Sequence, residues 1–192
     1  QPASRAGDPV WVQHKWTFGT GGAQMYAYDV NGDGRNDVIT SLAAHGYGLA
    51  WYEQYREGGE IKFKEHIFMN KEARENRYGV HFSQLHAIDL VDMDGDGLKD
   101  IITADGTDNT ISVLQNNGDG TFTDIYSTTG IDAQVGSWEL QAADFNNDGL
   151  LDITFGSAVV TTKSVYWFQN LGQGKFSSPL LIASSNEKFY KS

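Results

Sequence analysis

The sequence predicts an all-β protein built from three four-stranded antiparallel blades of the β-propeller type, and three observations carry that prediction. An acidic nonapeptide of the form D-x-[DN]-x-D-G-x-x-D occurs three times, as DVNGDGRND at 29–37, DMDGDGLKD at 92–100 and DFNNDGLLD at 144–152. The residues ahead of each copy alternate with period two, the spacing of a strand with distinct faces. Each copy is then followed by the same succession of apolar runs and glycine turns, so that 63 and then 52 residues separate the copies. A four-stranded unit repeated at that length is the pattern of a propeller blade.

The elements follow in order. In the first strand of each unit, Met25 and Ala27, Ile88 and Leu90, and Leu140 and Ala142 share one apolar face, expected to be buried. The other face is mixed, with Tyr26, Asp89 and Gln141 at matching positions and Gln24, Ala87 and Glu139 two residues earlier. After the acidic loop come short β-rich runs, VIT at 38–40, IIT at 101–103 and ITF at 153–155, which read as second strands. Third strands follow as LAWYEQ at 49–54, ISVLQN at 111–116 and VYWFQN at 165–170. The turns NNGDGTF and NLGQGKF, with YREGGEIKF as a stretched counterpart, lead to Phe122, Phe176 and Phe63, each expected to open a fourth strand.

These elements place the blades at about 17–69, 80–128 and 135–183, within a single domain or a fragment of a larger one. The extra residues of the first unit fall in its connections, as insertions in a repeat should. Only NKEARENR at 70–77 shows a helical period, and WVQHKWTF at 11–18 reads as a strand ahead of the first blade.

Four aspartates within nine residues repel one another unless a cation sits among them. Calcium takes six to eight oxygen ligands at about 2.3–2.6 Å, and such a loop can offer side chains from positions 1, 3, 5 and 9 with the carbonyl of position 7. The expected ligands are Asp29, Asn31, Asp33, Arg35 (carbonyl) and Asp37; then Asp92, Asp94, Asp96, Leu98 (carbonyl) and Asp100; then Asp144, Asn146, Asp148, Leu150 (carbonyl) and Asp152. Gly34, Gly97 and Gly149 at position 6 permit a sharp turn. An EF-hand would need a glutamate at position 12, where Thr40, Thr103 and Phe155 stand, and helices on both sides. Three Ca²⁺ sites are therefore expected. They would bring the formal charge of −11 to −5.

The loops, their place after a strand and the NNGDGTF and NLGQGKF turns resemble FG-GAP or VCBS repeats, the blades of integrin-α-like and bacterial propellers. FGTGGAQ at 18–24 is similar to the family's Phe-Gly…Gly-Ala-Pro phrase, with Gln24 in place of proline, whereas HFSQLHA and VGSWELQ do not match it. The resemblance covers roughly residues 17–183 and implies a calcium-bearing propeller used in adhesion, as a lectin, or as an accessory domain of a secreted enzyme.

A calcium-stabilised extracellular binding module for a glycan or protein is thus the leading reading, with Tyr26, Asp89 and Gln141 as candidate ligand-binding residues facing a central channel. Two alternatives stand beside it. One is a catalytic or accessory domain of a polysaccharide-degrading enzyme, resting on His45, Tyr47, His81 and His86, for which no motif commits to a reaction. The other is a structural propeller fragment without a ligand. Trp51, Tyr52, Trp167 and Phe168 suit packing better than sugar stacking.

Twenty-five acidic against 14 basic residues argue against nucleic acid as a partner, and no apolar run approaches the length of a membrane span. The amino terminus lacks a basic-then-apolar leader pattern, and the absence of cysteine excludes disulfide and thiolate-metal frameworks. Open, oxygen-rich loops suit the millimolar calcium of extracellular or periplasmic space. Because closed propellers have typically four to eight blades, three blades imply either further blades of a longer chain or a homo-oligomer that closes the ring.

Overall fold

A computed structural model describes residues 13–19, 21–22, 24–70, 85–105, 110–125, 137–157 and 163–185. Every regular element among them is a strand, and these form three four-stranded antiparallel sheets. The first sheet runs β1 (Met25–Tyr28), β2 (Asp37–Ser41), β3 (Leu49–Glu57), β4 (Glu60–Met69). The second runs β5 (Leu85–Val91), β6 (Asp100–Asp105), β7 (Thr110–Asn116), β8 (Phe122–Asp124). The third runs β9 (Ser137–Ala143), β10 (Asp152–Ser157), β11 (Lys163–Phe168), β12 (Leu180–Ser185). In each sheet the strands lie side by side in chain order.

The acidic nonapeptide is the β1–β2, β5–β6 or β9–β10 connection, and its last aspartate is the first residue of the next strand. Position 6 lies at φ of 82°, 91° and 89° for Gly34, Gly97 and Gly149, where a Cβ would strain the chain. Position 4 is also left-handed: Gly32, Gly95 and Asn147 stand there, asparagine being the tolerated alternative to glycine.

Two hydrophobic cores lie between sheets. One joins Val30, Ile39, Leu49, Trp51, Phe68 and Met69 of the first sheet to Leu85, Ile88, Leu90, Ile101, Leu114 and Phe122 of the second. Another joins Ala87, Met93, Ile102, Ile111 and Val113 of the second to Leu140, Ile153, Phe155 and Phe168 of the third. The second sheet is therefore buried on both faces. This changes the meaning of the period-two pattern: Ala87, on the face expected to be the more polar, is buried, while Met25 and Ala27, on the face expected to be buried, are exposed. The reason is that, among the described residues, no sheet stands behind the face of β1 carrying Met25 and Ala27.

Three further expectations are corrected in detail. YREGGEIKF is not a stretched turn but a continuous hairpin, with Glu57 opposite Glu60 and only Gly58 and Gly59 between them, both at positive φ. That is the geometry of a two-residue hairpin loop with φ > 0 at both positions. Phe122 does open a fourth strand, but Phe63 lies within β4 and Phe176 forms only an isolated bridge to Asn170. The described residues of the segment at 11–18 form no strand. Instead Phe18 packs edge-on against Tyr52 and Phe63, at 4.9 and 5.0 Å, and Trp16 meets Phe63 at 5.4 Å. Gly22 then passes so close to Ser41 that a Cβ would lie 2.2 Å from its carbonyl oxygen. The helical-period segment at 71–77 lies outside the described residues.

Candidate metal centre

Each acidic loop is organised by its own carboxylates. Asp29 accepts from the N–H groups of Asp33 and Gly34 at 3.0 and 2.7 Å, and Asp144 accepts from Asp148 and Gly149 at 3.1 and 2.9 Å. Asp92 accepts from Gly95 and Gly97 at 2.7 and 3.0 Å. Position 3 (Asn31, Asp94, Asn146) accepts from the N–H of position 5, and position 5 (Asp33, Asp96, Asp148) from that of position 7 (Arg35, Leu98, Leu150). These are Asx-type turns, in which a short carboxylate stands in for a backbone acceptor. The Leu150 N–H, with the Asn146 amide, holds Asp148 below the usual carboxylate range.

Position 9 has a different environment. Asp37, Asp100 and Asp152 are 0%, 1% and 0% exposed. One oxygen of each takes the N–H of loop position 2, at 3.0 Å from Val30, 2.9 Å from Met93 and 3.3 Å from Phe145. The other takes the N–H of Gln54, Asn116 or Asn170 in the third-strand segment, at 2.8, 2.9 and 2.7 Å. Each aspartate thus clamps loop to sheet. Burial pushes the Asp100 carboxyl up to about 6 against the pull of its two N–H donors, with Asp94 and Asp96 adding to the rise. Asp37 is raised for the same leading reason.

Gln54, Asn116 and Asn170 complete the clamp from the other side. Their side-chain amides donate to the position-8 carbonyls of Asn36, Lys99 and Leu151, at 2.6, 3.2 and 3.0 Å. Sequence reasoning missed these three as site residues, although their signal was present: an amide ends each of the runs LAWYEQ, ISVLQN and VYWFQN.

In the second loop, carboxylate oxygens of Asp92, Asp94 and Asp100 lie within 4.8 Å of one another. Oxygens on opposite sides of one Ca²⁺ are about 5 Å apart, twice the usual bond length, so this cluster can hold one divalent ion. Asp100 can serve the clamp and the cation together, since each carboxylate oxygen has two lone pairs. In the first loop Arg35 pairs with Asp33 and donates its Nε to the Gln54 carbonyl at 3.0 Å. Such a half-exposed pair contributes at most about 1 kcal/mol.

The other candidate residues are placed apart. The hydroxyl of Tyr26 donates to the Ile88 carbonyl at 2.7 Å, and Gln24 accepts from the Ile88 N–H, so one side chain of β1 and one from the residue just ahead of it cap the free edge of β5. Burial, then the nearby Asp89, raises the Tyr26 phenol above its ordinary value. Asp89 accepts from its neighbour's N–H, at Leu90, and Gln141 lines an open hollow on the third sheet with Glu139, Thr154, Phe155 and Val165. Tyr47 packs on the core between the first two sheets. His81 and the side chain of His86 lie outside the described residues. Trp51, Tyr52 and Phe168 are buried, as packing residues should be.

Residues 92–155, from the second acidic loop through the third, match the model of the FG-GAP-like repeat family. The chain carries an FG-GAP-like repeat. The matched stretch holds β6 to β9 whole and both loops, so the FG-GAP-like unit coincides with the clamp geometry just described. Cartilage acidic protein 1 of Xenopus tropicalis is 39% identical over 77 residues, which is 35% of this chain and 12% of that protein. The chain thus spans about an eighth of the length of that relative. No helix among the described residues is long and apolar enough to cross a membrane.

Proposed function

We propose that this chain is a calcium-stabilised module of an extracellular or cell-surface protein, in which the cation is structural and the ligand is a glycan or another protein. The observation that carries the metal reading is the convergence of Asp92, Asp94 and Asp100 within 4.8 Å, at a loop whose backbone already points its N–H groups at the carboxylates. The remaining loops repeat the clamp, so the full ligand sets are positions 1, 3, 5 and 9 of each loop with the carbonyls of Arg35, Leu98 and Leu150. A cation there would neutralise carboxylates of which, among the described residues, only Asp33 has a charged partner, Arg35. It would stabilise the folded chain by linkage, because the unfolded chain has no such site.

The setting is supported by two facts. The loops are largely exposed, which suits filling at extracellular calcium levels. The frog relative is named for cartilage and for acidity, and this chain is itself acidic, with a formal charge of −11. For the ligand, the candidate row remains Tyr26, Asp89 and Gln141; Tyr26 serves the sheet contact, which leaves Asp89 and Gln141 as the first positions to test.

The deciding experiment is calorimetric titration of the chelated chain with Ca²⁺, alongside thermal melting in calcium and in chelator. Three ions per chain and a higher melting temperature in calcium are expected. No heat of binding and superimposable melts would overturn the metal reading. A glycan array probed with Asp89→Ala and Gln141→Ala as controls then tests the ligand row.

A further inference from the structure

We infer that the Asn31–Gly32 pair is a site of spontaneous deamidation, and that the fold protects the Asn117–Gly118 pair from the same reaction. These are the two places in the chain where asparagine precedes glycine. The chemistry is intramolecular. The backbone nitrogen of Gly32 attacks Cγ of Asn31 and loses its proton, which leaves with the side-chain nitrogen as ammonia, and a five-membered succinimide closes. Water then opens the ring at either carbonyl, giving aspartate or an isoaspartate whose backbone runs through the former side chain. Glycine favours the first step because no Cβ crowds the attacking nitrogen.

The two pairs are spelled alike but held differently. At the first, the Asn31 side-chain oxygen accepts the Asp33 N–H at 3.2 Å, and among the described residues its amide nitrogen, the leaving group, has no partner. The attacking nitrogen is equally unheld. In the second loop Asp92 takes the N–H of Gly95, the counterpart of Gly32; in the first, Asp29 spends its two oxygens on Asp33 and Gly34 and passes Gly32 over. Asn117 instead donates Nδ2 to the Thr121 hydroxyl at 3.0 Å and accepts from the Thr123 hydroxyl at 3.2 Å. The Gly118 N–H is given to the Asn116 side-chain oxygen at 2.9 Å. Ring closure there has to break hydrogen bonds on both reacting groups, each a net loss of about 1 kcal/mol. Solvent access alone would choose the other way, since Asn117 is exposed and Asn31 half-buried.

The product falls where it matters. Aspartate at 31 gives the first loop the position-3 carboxylate that the second carries as Asp94, and adds a negative charge. Isoaspartate puts an extra methylene into the backbone between Asp29 and the two N–H groups it holds. It would also disturb the contact with the second sheet, because a Cβ on Gly120 would lie 3.7 Å from that of Asn31.

The test is peptide mapping by mass spectrometry of the chain held at mildly alkaline pH, without calcium and below its melting temperature, so that the result does not depend on the metal reading. Conversion several-fold faster at Asn31 than at Asn117 is expected in the folded chain, with the two rates coming together in urea. Gly32→Asn gives the first loop the Asn-Asn pair of the third, where Asn147 already stands at φ 61°, and should slow conversion at Asn31 several-fold while the chain stays folded. Equal rates in the folded chain, or faster loss of Asn117, would overturn the inference. An undiminished preference for Asn31 in urea would overturn it too, by placing the cause in the local sequence and not in the fold.

Discussion

The hydroxyl of Tyr26 and the carbonyl of Ile88 meet at 2.7 Å across the gap between the first and second sheets. The bond satisfies an edge acceptor of β5 that water would otherwise have to reach, and it ties two sheets of separate hairpins together. Tyr26→Phe should therefore cost about 1 kcal/mol, the net worth of one such bond. Urea denaturation measures it, and the cost should be the same in calcium and in chelator.

Asp100 and Asp96 belong to one loop but do different work. Asp100 is buried and satisfies the N–H groups of Met93 and Asn116, so Asp100→Ala leaves two buried donors unpaired, each costing about 1–3 kcal/mol. That loss should appear with or without calcium. Asp96 is exposed and accepts one N–H, from Leu98. Asp96→Ala should leave the chelated chain within about 1 kcal/mol of wild type and lower only the extra stability that calcium confers. Equal behaviour of the two variants in chelator would contradict the clamp.

Phe68→Ala and Ile182→Ala compare the residue bulged out of the outer strand of a covered and of an open sheet. Truncating the buried Phe68 should cost about 3–5 kcal/mol. Truncating the exposed Ile182 should change stability by no more than about 0.5 kcal/mol. Paired denaturation curves provide the comparison.

Alkaline pH should expose Tyr52. Burial, with the hydrogen bond it donates to Glu65 at 2.7 Å, pushes its phenol from 10.0 up to about 12. Between those values the folded chain keeps a proton that the unfolded chain gives up. Its contribution is complete below pH 10 and is lost as pH rises toward about 12. Tyr52→Phe should flatten that part of the stability curve, read from denaturation midpoints on either side of pH 10.

Much of the clamp was legible in the chain. Positions 1, 3, 5 and 9 stand out because only carboxylates and their amide analogues recur there, and Gly34, Gly97 and Gly149 because left-handed backbone excludes most other residues. The division of labour was not legible. Nothing in the spelling of Asp37, Asp100 and Asp152 distinguishes them from their loop neighbours, because burial comes from Val30, Met93 and the third strands folding over them. Gln24 stands where the family's phrase has proline. In the fold it accepts the Ile88 N–H, a partner 64 residues away that no local pattern encodes.

The sequence by itself determined the class, the number of sheets, the succession of their strands and the place of the acidic loops between first and second strands, since strand period, turn chemistry and loop composition are local and repeat three times. Only the tertiary structure decided which faces are buried. Met25 and Ile88 hold the same position in their units, yet one is 56% and the other 2% exposed, because burial depends on whether a sheet stands behind, and that is a property of neighbours in space.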